Sequence, residues 1–361
     1  TDMQFDTKDR MKMVKLFFTD EDELDNVTIR DWFDDHFFTT NFWYMWATTF
    51  AFEPWHSVLE FKRYLHIFIH EFPRINNLSG VKRSLYNQYD SIILPVELWL
   101  KEQGVIFEYD CEVKDIEFET IENNEKSVSK LYISRNNTDE TVYINSDDLV
   151  IITNGSMTAA TTLGSMTSPP VFSETNLGTS WEFWEKISAG RPEFGNPKVF
   201  DGNIDQSFWE SFTVTCNKDN KFLDMMEKFS GNTAGTGALV TLKDSSWLMS
   251  VVIAYQPHFL NQPEDVTVFW GYGLFPDRKG DYIKKKMTEC TGKEILTELL
   301  CHLKFHDYVS EMKKTSNCIP CILPFITSQF MPRKISDRPR VRPEGYKNLA
   351  FIGQFVEIPE G

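Results

Sequence analysis

Several features that would assign a protein class at once are scarce or missing from this sequence. Its longest apolar runs are far shorter than the roughly 20 residues that a membrane-spanning helix needs, and no N-terminal segment has the charged-then-apolar form of a signal peptide. No block of Lys and Arg exceeds a few residues, and the formal net charge is −16. This charge balance argues against binding to nucleic acid.

Cysteine is also sparse. The six cysteines lie at positions 111, 216, 290, 301, 318 and 321, which fits a reduced cytoplasmic protein. Cys318 and Cys321 have the spacing of a redox motif, but they do not open a helix after a strand, and no second pair exists to complete a zinc site. We interpret them as ordinary buried thiols and predict no metal site.

A G-x-G-x-x-G dinucleotide fingerprint is missing as well. The partial match from Gly235 to Gly237 precedes a predicted strand and lacks the third glycine, so it does not indicate a nucleotide-binding loop.

Aromatic residues, in contrast, are abundant. Of the 361 residues, 14% are aromatic, including 30 Phe and 10 Trp. Such a surplus suits an apolar ligand pocket, and a large Phe-rich core explains it equally well. The length allows two or three domains, or one large α/β core with an insertion.

Hydrophobic periodicity predicts helices first. Residues 1–40 have a helical, charged pattern. Val58, Phe61, Leu65 and Phe68 recur at intervals of three and four, which predicts an amphipathic helix capped by Ser57. A second helix is predicted to begin after residues 90–91 and to end at Gly104.

Strand patterns dominate from residue 105 onward. Short β-rich runs occupy residues 105–109, 112–119 and 130–134, and a wholly apolar run at 149–152 predicts a buried central strand. A small polar turn, residues 153–156, comes directly after it, and a last strand is predicted from Leu349 to Ile352. The class is therefore mixed α/β.

Six sequence blocks closely resemble those of one known family. The similarity covers nearly the whole chain in the family's order, and the family is the oleate hydratases, long labelled myosin-cross-reactive antigens. The blocks are WATTFAFEPWHS (46–57), FKRYL (61–65), YNQYDSIILP (86–95), TNGSMT (153–158), PFITSQFMPR (324–333) and NLAFIGQFVEIP (348–359).

The resemblance implies a flavin-binding fold of the glutathione-reductase type with a helical and β-rich substrate domain. The family's dinucleotide fingerprint and its RGGRE-type segment are absent, so we expect the chain to be the middle of a longer protein. The expected parts are a helical lid (1–104), a β-meander and strand of the flavin domain (105–170), a substrate-binding domain (171–335) and a return strand (336–361).

FAD is the cofactor that the resemblance implies. Asn154, Gly155, Ser156 and Met157 match the turn that lies against the flavin in the family. Val113 matches the position that holds the adenine end through its backbone, and the C-terminal flavin motif falls on Gly353, Gln354 and Phe355. The family also implies an unsaturated free fatty acid, such as oleate or linoleate, as the substrate. It further implies a cytoplasmic protein that is a homodimer when full length, and it leaves open peripheral contact with a membrane.

Hydration of an alkene needs a proton on one carbon and a water on the other. A tyrosine suits the first task, although its reference pKa of about 10 makes it a weak acid. The family's catalytic tyrosine carries over onto Tyr64, against the alternative of a core tyrosine on an apolar helix face. Gln88 carries over as a polar residue near the reacting bond, while the family's water-activating glutamate carries over onto no residue here.

The fatty-acid head group is harder to place. Several family members have polar side chains where this chain has Val252, Ala254 and Tyr255, which leaves Gln256 and His258 as candidates. Phe325 is a candidate wall of the acyl tunnel. Trp55 and His56 are more simply interpreted as a packed ring and a hydrogen-bonded imidazole than as catalytic groups.

Three functions therefore stay open. The leading one is a hydro-lyase that converts oleate to 10-hydroxystearate, with this chain inactive when isolated. The second is a flavin oxidoreductase of the amine oxidase or desaturase type, and the third is a non-catalytic lipid-binding protein. Product that gains the mass of one water without a redox partner distinguishes hydration from the second.

We expect this chain, expressed alone, to hold FAD weakly or not at all, because no glycine fingerprint is present to seat the pyrophosphate on a helix N-terminus. Gel filtration and an absorbance spectrum of the protein peak measure the bound flavin. A stoichiometric yellow complex would contradict this expectation.

Overall fold

Helices fill the first hundred residues of the chain, and sheets dominate the remainder. The structure, a computed structural model, describes residues 2–74, 79–173, 175–217, 220–237 and 239–358. The α-helices are α1 (Thr7–Phe18), α2 (Ile29–Trp32), α3 (Asn41–Phe50), α4 (Val58–Phe68), α5 (Leu94–Glu102), α6 (Thr179–Ser188), α7 (Lys198–Asp201), α8 (Ile204–Ser207), α9 (Phe222–Ser230), α10 (Gly292–His302) and α11 (Val309–Thr315). The strands are β1 (Cys111–Thr120), β2 (Lys126–Arg135), β3 (Thr138–Tyr143), β4 (Val150–Thr153), β5 (Thr162–Leu163), β6 (Trp209–Asn217), β7 (Val240–Leu242), β8 (Met249–Val252), β9 (Val266–Gly273), β10 (Ser316–Leu323) and β11 (Leu349–Ile352). The predicted mixed α/β class is confirmed.

Side-chain caps determine where the first helices begin. Asp6 and Thr28 form reciprocal capping boxes at α1 and α2, and Thr40 caps α3. Ser57 caps α4, as predicted. These helices enclose an aromatic core made of Phe33, Phe37, Phe42, Trp43, Trp46, Phe52, Phe61 and, from much later in the chain, Phe330.

The second predicted helix is also confirmed. A π-helical turn, Tyr89–Ile93, leads directly into α5. The chain leaves the helix through Gly104, whose φ of +85° is a left-handed conformation that glycine adopts without strain.

β1, β2 and β3 form an antiparallel three-stranded sheet in that order. Two predicted runs lie within β1 and β2, but the prediction of a strand at 105–109 is wrong, since these residues pair with no strand in the described chain and Ile106 is 83% exposed. A β-rich composition does not suffice, because a strand also needs a neighbour for its backbone groups. The sequence missed β3 because its residues are mostly polar and exposed.

β4 and β11 form a parallel pair, in which Val150 lies opposite Leu349. Both strands were predicted, but the burial predicted for the run at 149–152 is wrong: Leu149 and Ile151 are 76% and 59% exposed, although Ile152 is buried. An apolar strand is buried only where other layers cover it, and β4 pairs with β11 alone among the described strands. Because the two strands are parallel, the segments after Thr153 and Ile352 meet at one edge.

The largest sheet has six strands in the order β5-β10-β6-β9-β8-β7, and all its pairings are antiparallel. α9, α10 and α11 contribute to its core, together with the buried Cys318. Cys318 and Cys321 lie within β10 as free thiols and do not open a helix, as predicted. Cys318 is buried as predicted, whereas Cys321 is only partly buried.

The predicted domain limits stay a prediction. α6 shares a core with β1, β4 and β11, whereas Phe330 packs among the N-terminal helices, although α6 and Phe330 both fall within the predicted substrate-binding part. Residues 359–361 lie outside the described residues. In the described chain, no helix is both long and apolar enough to cross a membrane.

Glu210 is an isolated carboxyl group inside the six-stranded sheet. It is fully buried on β6, and neither of its carboxyl oxygens has a hydrogen-bond partner among the described residues. Burial raises the pKa of Glu210 well above its ordinary value. The side chain is therefore protonated in the folded protein at a pH where the unfolded chain ionises it.

We expect Glu210→Gln to raise the free energy of unfolding relative to the wild type, by an amount that increases with pH. In the wild type, folding keeps a proton on a group whose unfolded pKa is lower. Stability is therefore lost with increasing pH, by about 1.4 kcal/mol for each pH unit between the two pKa values. Urea unfolding at about pH 5 and about pH 8 measures the difference. Glu112→Gln, at an exposed position of β1, is the control, and a Glu210→Gln effect that is equal at both pH values would contradict the expectation.

Candidate active site

A cavity of about 690 Å³ lies between α4 and the segment after β11. Tyr64 lines it from the helix, and Gly353 and Gln354 line it from the segment after β11. The structure thus brings the predicted proton donor together with two predicted flavin-binding residues. We call this space the Tyr64 cavity; its lining is Glu60, Arg63, Tyr64, His66, Ile67, Arg338, Gly353, Gln354, Val356 and Ile358.

Aromatic rings fix the position of Tyr64 on α4. Its ring meets Phe50, Phe52 and Phe330 edge to face, with centroids 5.6, 5.3 and 5.2 Å away. Burial raises the pKa of Tyr64, the nearby Glu60 carboxylate raises it further, and Arg338 lowers it. The phenol is therefore protonated at neutral pH, which is the state that a proton donor requires.

Behind Tyr64 lies a buried ion-pair network, which consists of Glu21, Glu60, Arg63, Arg333, Arg338 and Glu357. Glu60 accepts from Arg333 through Nε at 2.9 Å and Nη2 at 2.8 Å, and Arg338 lies 3.1 Å from the same oxygen. Burial opposes the charge of Glu60, but the guanidinium groups of Arg338, Arg333 and Arg63 hold the pKa of this carboxyl below its ordinary value.

Glu357 joins the network to the segment after β11. Its Oε1 lies 2.6 Å from Nη2 of Arg63, and its Oε2 lies 3.0 Å from Nη1 of Arg333. Arg63 also pairs with Glu21. Three arginines thus balance three glutamates, as buried charges require.

Sequence reasoning missed this network. A usable signal was nevertheless present, because Arg63, Arg333 and Glu357 lie inside three of the blocks that carry the family resemblance. Charged residues within otherwise apolar, aromatic blocks indicate buried partners. Which charge meets which could not be read from the sequence, since the partners are up to 294 positions apart.

The two predicted flavin segments meet where the parallel strands end. The Asn154 side chain donates to the Phe355 carbonyl at 3.4 Å, and Trp181 Nε1 donates to the Ser156 carbonyl at 2.9 Å. Met157 packs against the same core. Tertiary structure therefore unites Asn154–Met157 with Gly353–Phe355, as the family motifs imply.

The chemistry of this edge fits a flavin. The Asn154 side chain is 1% exposed, yet its Oδ1 has no hydrogen-bond partner among the described residues, so it can accept a bond from a ring N–H. Gly353 has a φ of +105°, a conformation that leaves its backbone open to close approach by a ligand. FAD binding itself stays a prediction.

Val113 lies elsewhere, in a second cavity of about 670 Å³ beside the start of α6. That cavity is bounded by β1, by the turn between β2 and β3 and by Thr179 and Ser180. α6 connects the two regions, because its Trp181 contacts Gly155 while Thr179 and Ser180 face Val113. The role of Val113 at the adenine end stays a prediction.

Gln88 and His258 come together in a third cavity of about 270 Å³, whose wall also includes Val252, Ala254 and Trp270. Burial lowers the pKa of His258, while the charge of Asp90 raises it. The lining thus combines polar and apolar side chains, a mixture that suits one end of an amphipathic ligand.

The side chains of Gln256 and Phe325 are both engaged in contacts within the protein. The Gln256 amide donates to the Val268 carbonyl at 2.8 Å, and its oxygen accepts from the Val268 N–H and from Gln262, both at 3.0 Å. Phe325 is fully buried, 5.3 Å from the ring of Trp181, and lines none of these three cavities. Their assignment to the substrate stays a prediction without a supporting contact.

His56 is also fixed within the protein. Its Nδ1 accepts from the Glu53 N–H at 2.9 Å, its Nε2 faces the Gln206 carbonyl at 3.4 Å, and the ring is fully buried. Burial lowers the pKa of His56 to about 3. The imidazole is neutral and bonded at both ends, so the interpretation of His56 as a hydrogen-bonded core group fits these contacts.

Comparisons with known proteins identify the family of this chain. The model of the MCRA family matches residues 1–361. Over 98% of its length the chain is 38% identical to an oleate hydratase of Streptococcus pyogenes serotype M49 (strain NZ131) and to a linoleate hydratase of Lactiplantibacillus plantarum. The chain spans 61% and 66% of the lengths of these two relatives.

We expect Gly155→Ala to disturb the turn after β4. Gly155 has a φ of +64°, and an added Cβ would lie 2.9 Å from Phe355 and 3.0 Å from Trp181. Strain and contact together should cost about 1–3 kcal/mol of unfolding free energy. Gly190→Ala is the matched control, because its φ is +73° and its Cβ would meet nothing within 4 Å. Equal losses in urea unfolding would show that the packing against Trp181 and Phe355 is unimportant.

Proposed function

This chain belongs to the MCRA family, and from that premise we propose that it supplies the proton-donating side of a fatty-acid hydratase active site. The reaction is the addition of water to a cis double bond, as in oleate to 10-hydroxystearate, and the enzyme is a hydro-lyase. The observation that carries the proposal is the Tyr64 cavity, a single space lined by a protonated phenol and by Gly353 and Gln354.

Tyr64 is the proposed proton donor. Its phenol delivers the proton to one alkene carbon, and the Arg338 side chain lines the same cavity. Because a guanidinium favours the phenolate, Arg338 eases the loss of this proton during the step. The apolar side chains of Ile67 and Val356 in its wall suit a hydrocarbon chain.

Glu60 is unsuited to activate the attacking water, although it lines the same cavity. One of its oxygens accepts two bonds from Arg333 and lies beside Arg338, and the lowered pKa of Glu60 makes it a weak base. The water-activating carboxylate is therefore proposed to come from outside this chain. This agrees with the absence of the family's glutamate motif from the sequence.

FAD is the proposed cofactor, held by Asn154–Met157 and Gly353–Phe355. Since hydration changes no overall oxidation state, the flavin supplies structural or electrostatic support rather than electron transfer. The names of both relatives are those of hydratases, which supports hydration over a flavin oxidoreductase. A homodimer, a cytoplasmic location and peripheral membrane contact are part of the same proposal.

Tyr64→Phe should separate catalysis from folding. The change is made in a full-length protein that contains this sequence. Loss of one hydroxyl should cost at most about 1–3 kcal/mol of stability, whereas turnover should fall by about 10²–10⁴, the usual contribution of a positioned general acid. Flavin content and oleate affinity should stay near wild type, because the hydroxyl acts on the transition state.

The control for this variant is Tyr308→Phe, which removes a hydroxyl that accepts from the Lys221 N–H far from the cavity. Turnover is measured as hydroxy acid formed per folded molecule, and stability as the melting temperature. If Tyr64→Phe lowers the melting temperature but leaves turnover unchanged, Tyr64 is a residue of the aromatic core and not the proton donor.

A further inference from the structure

The Tyr64 cavity has two walls that belong to distant parts of the chain. α4 provides Tyr64 and Arg63, and the segment after β11 provides Gly353, Gln354 and Val356. A proton donor works only when its distance from the reacting carbon is held within about 0.5 Å. Something must therefore fix the distance between these walls.

Glu357 provides that link. Its carboxylate is 6% exposed and binds Arg63 of α4 directly at 2.6 Å. Its Oε2 also lies 3.0 Å from Nη1 of Arg333, as an ion pair without a hydrogen bond, and Arg333 in turn donates two hydrogen bonds to Glu60, one helical turn before Tyr64. Glu357 is thus connected to α4 at two positions: directly at Arg63, and through Arg333 at Glu60.

Stability alone is a weak reason for such a network. A buried set of ion pairs is often no more stabilising than apolar residues of the same shape, and in some proteins buried polar groups instead specify one arrangement of the chain. Arg63 adds directional bonds, because its Nε donates to Glu21 while Nη2 reaches Glu357. The network therefore restricts how α4 can shift or rotate against the segment after β11.

We propose that Glu357, through Arg63 and Arg333, is a positioning residue that sets the distance between Tyr64 and the Gly353–Gln354 turn. This inference rests on the proposed role of Tyr64 as proton donor. Glu357 itself does not touch the reacting atoms. It acts by keeping the two walls of the cavity at a fixed distance from each other.

The distance across the cavity tests the proposal without any catalytic assay. Spin labels are attached through an unnatural keto amino acid at positions 67 and 358, where Ile67 and Ile358 are 61% and 66% exposed, so that native cysteines stay unlabelled. Electron paramagnetic resonance then measures the distance between the two labels in the labelled protein with and without Glu357→Gln. We expect the distance distribution to broaden and its mean to move by about 1 Å or more, beyond the tolerance of a proton donor.

Two further variants complete the distance test. Glu117→Gln removes an exposed ion pair with Lys130 in the β1–β2 sheet and should leave the distribution unchanged. If Glu357→Gln does not fold, Arg63→Gln decides, since Arg63 is the more exposed partner, and Arg63→Lys should restore part of the narrow distribution. An unchanged distribution in a folded Glu357→Gln or Arg63→Gln protein overturns the proposal.

Kinetics in the full-length protein give the second readout. Misplacement of Tyr64 by about 1 Å should lower kcat by about 10²-fold and leave KM nearly unchanged. A moved distance with an unchanged kcat also overturns the proposal. If the full-length wild type shows no hydration at all, the proposed function fails, while the distance measurement still decides whether Glu357 positions the two walls.

Discussion

The contact of Glu357 with Arg63 and Arg333 is the interaction on which the candidate site depends. Arg63 is far from Arg333 and Glu357 along the chain; the side chains of Arg333 and Glu357 are buried, and that of Arg63 is partly buried. A buried charge without its partner is costly, so the folded state is stable only when α4, the segment around Arg333 and the segment after β11 are all in contact. The Tyr64 cavity is the space that this junction leaves open.

Two other constraints complete the site. The parallel pairing of β4 with β11 places Asn154 and Gly353 at one edge, because parallel strands end on the same side of a sheet. The aromatic core of the N-terminal helices reaches Phe330, whose ring meets Tyr64. α4 is therefore held by apolar contacts on one face and by ion pairs on another, with Tyr64 between them.

Much of this arrangement could be predicted where local chemistry decides it. The Ser57 cap and the spacing of Val58, Phe61 and Leu65 predicted α4, and the apolar runs predicted β4 and β11. The prediction at 105–109 was wrong because a strand exists only if a partner strand lies beside it. For the same reason the burial of β4 was wrong, since no local pattern tells which layers cover a strand.

The sequence by itself determined the family, because its motifs are contiguous blocks, and the mixed α/β class, because short-range periodicity predicts helices and strands. Tyr64 and the two flavin segments became candidates only through the resemblance to that family. Only the tertiary structure decided that Tyr64, Gly353 and Gln354 line one cavity. It also decided that the Gln256 side chain hydrogen-bonds Val268, and that Glu60, Arg333 and Glu357 form one network. The contact of Glu60 with Arg333 joins residues 273 positions apart, and the contact of Gln256 with Val268, although only 12 positions apart, joins a loop to a strand. Nothing in a local pattern specifies them, because burial and charge pairing depend on how the whole chain packs.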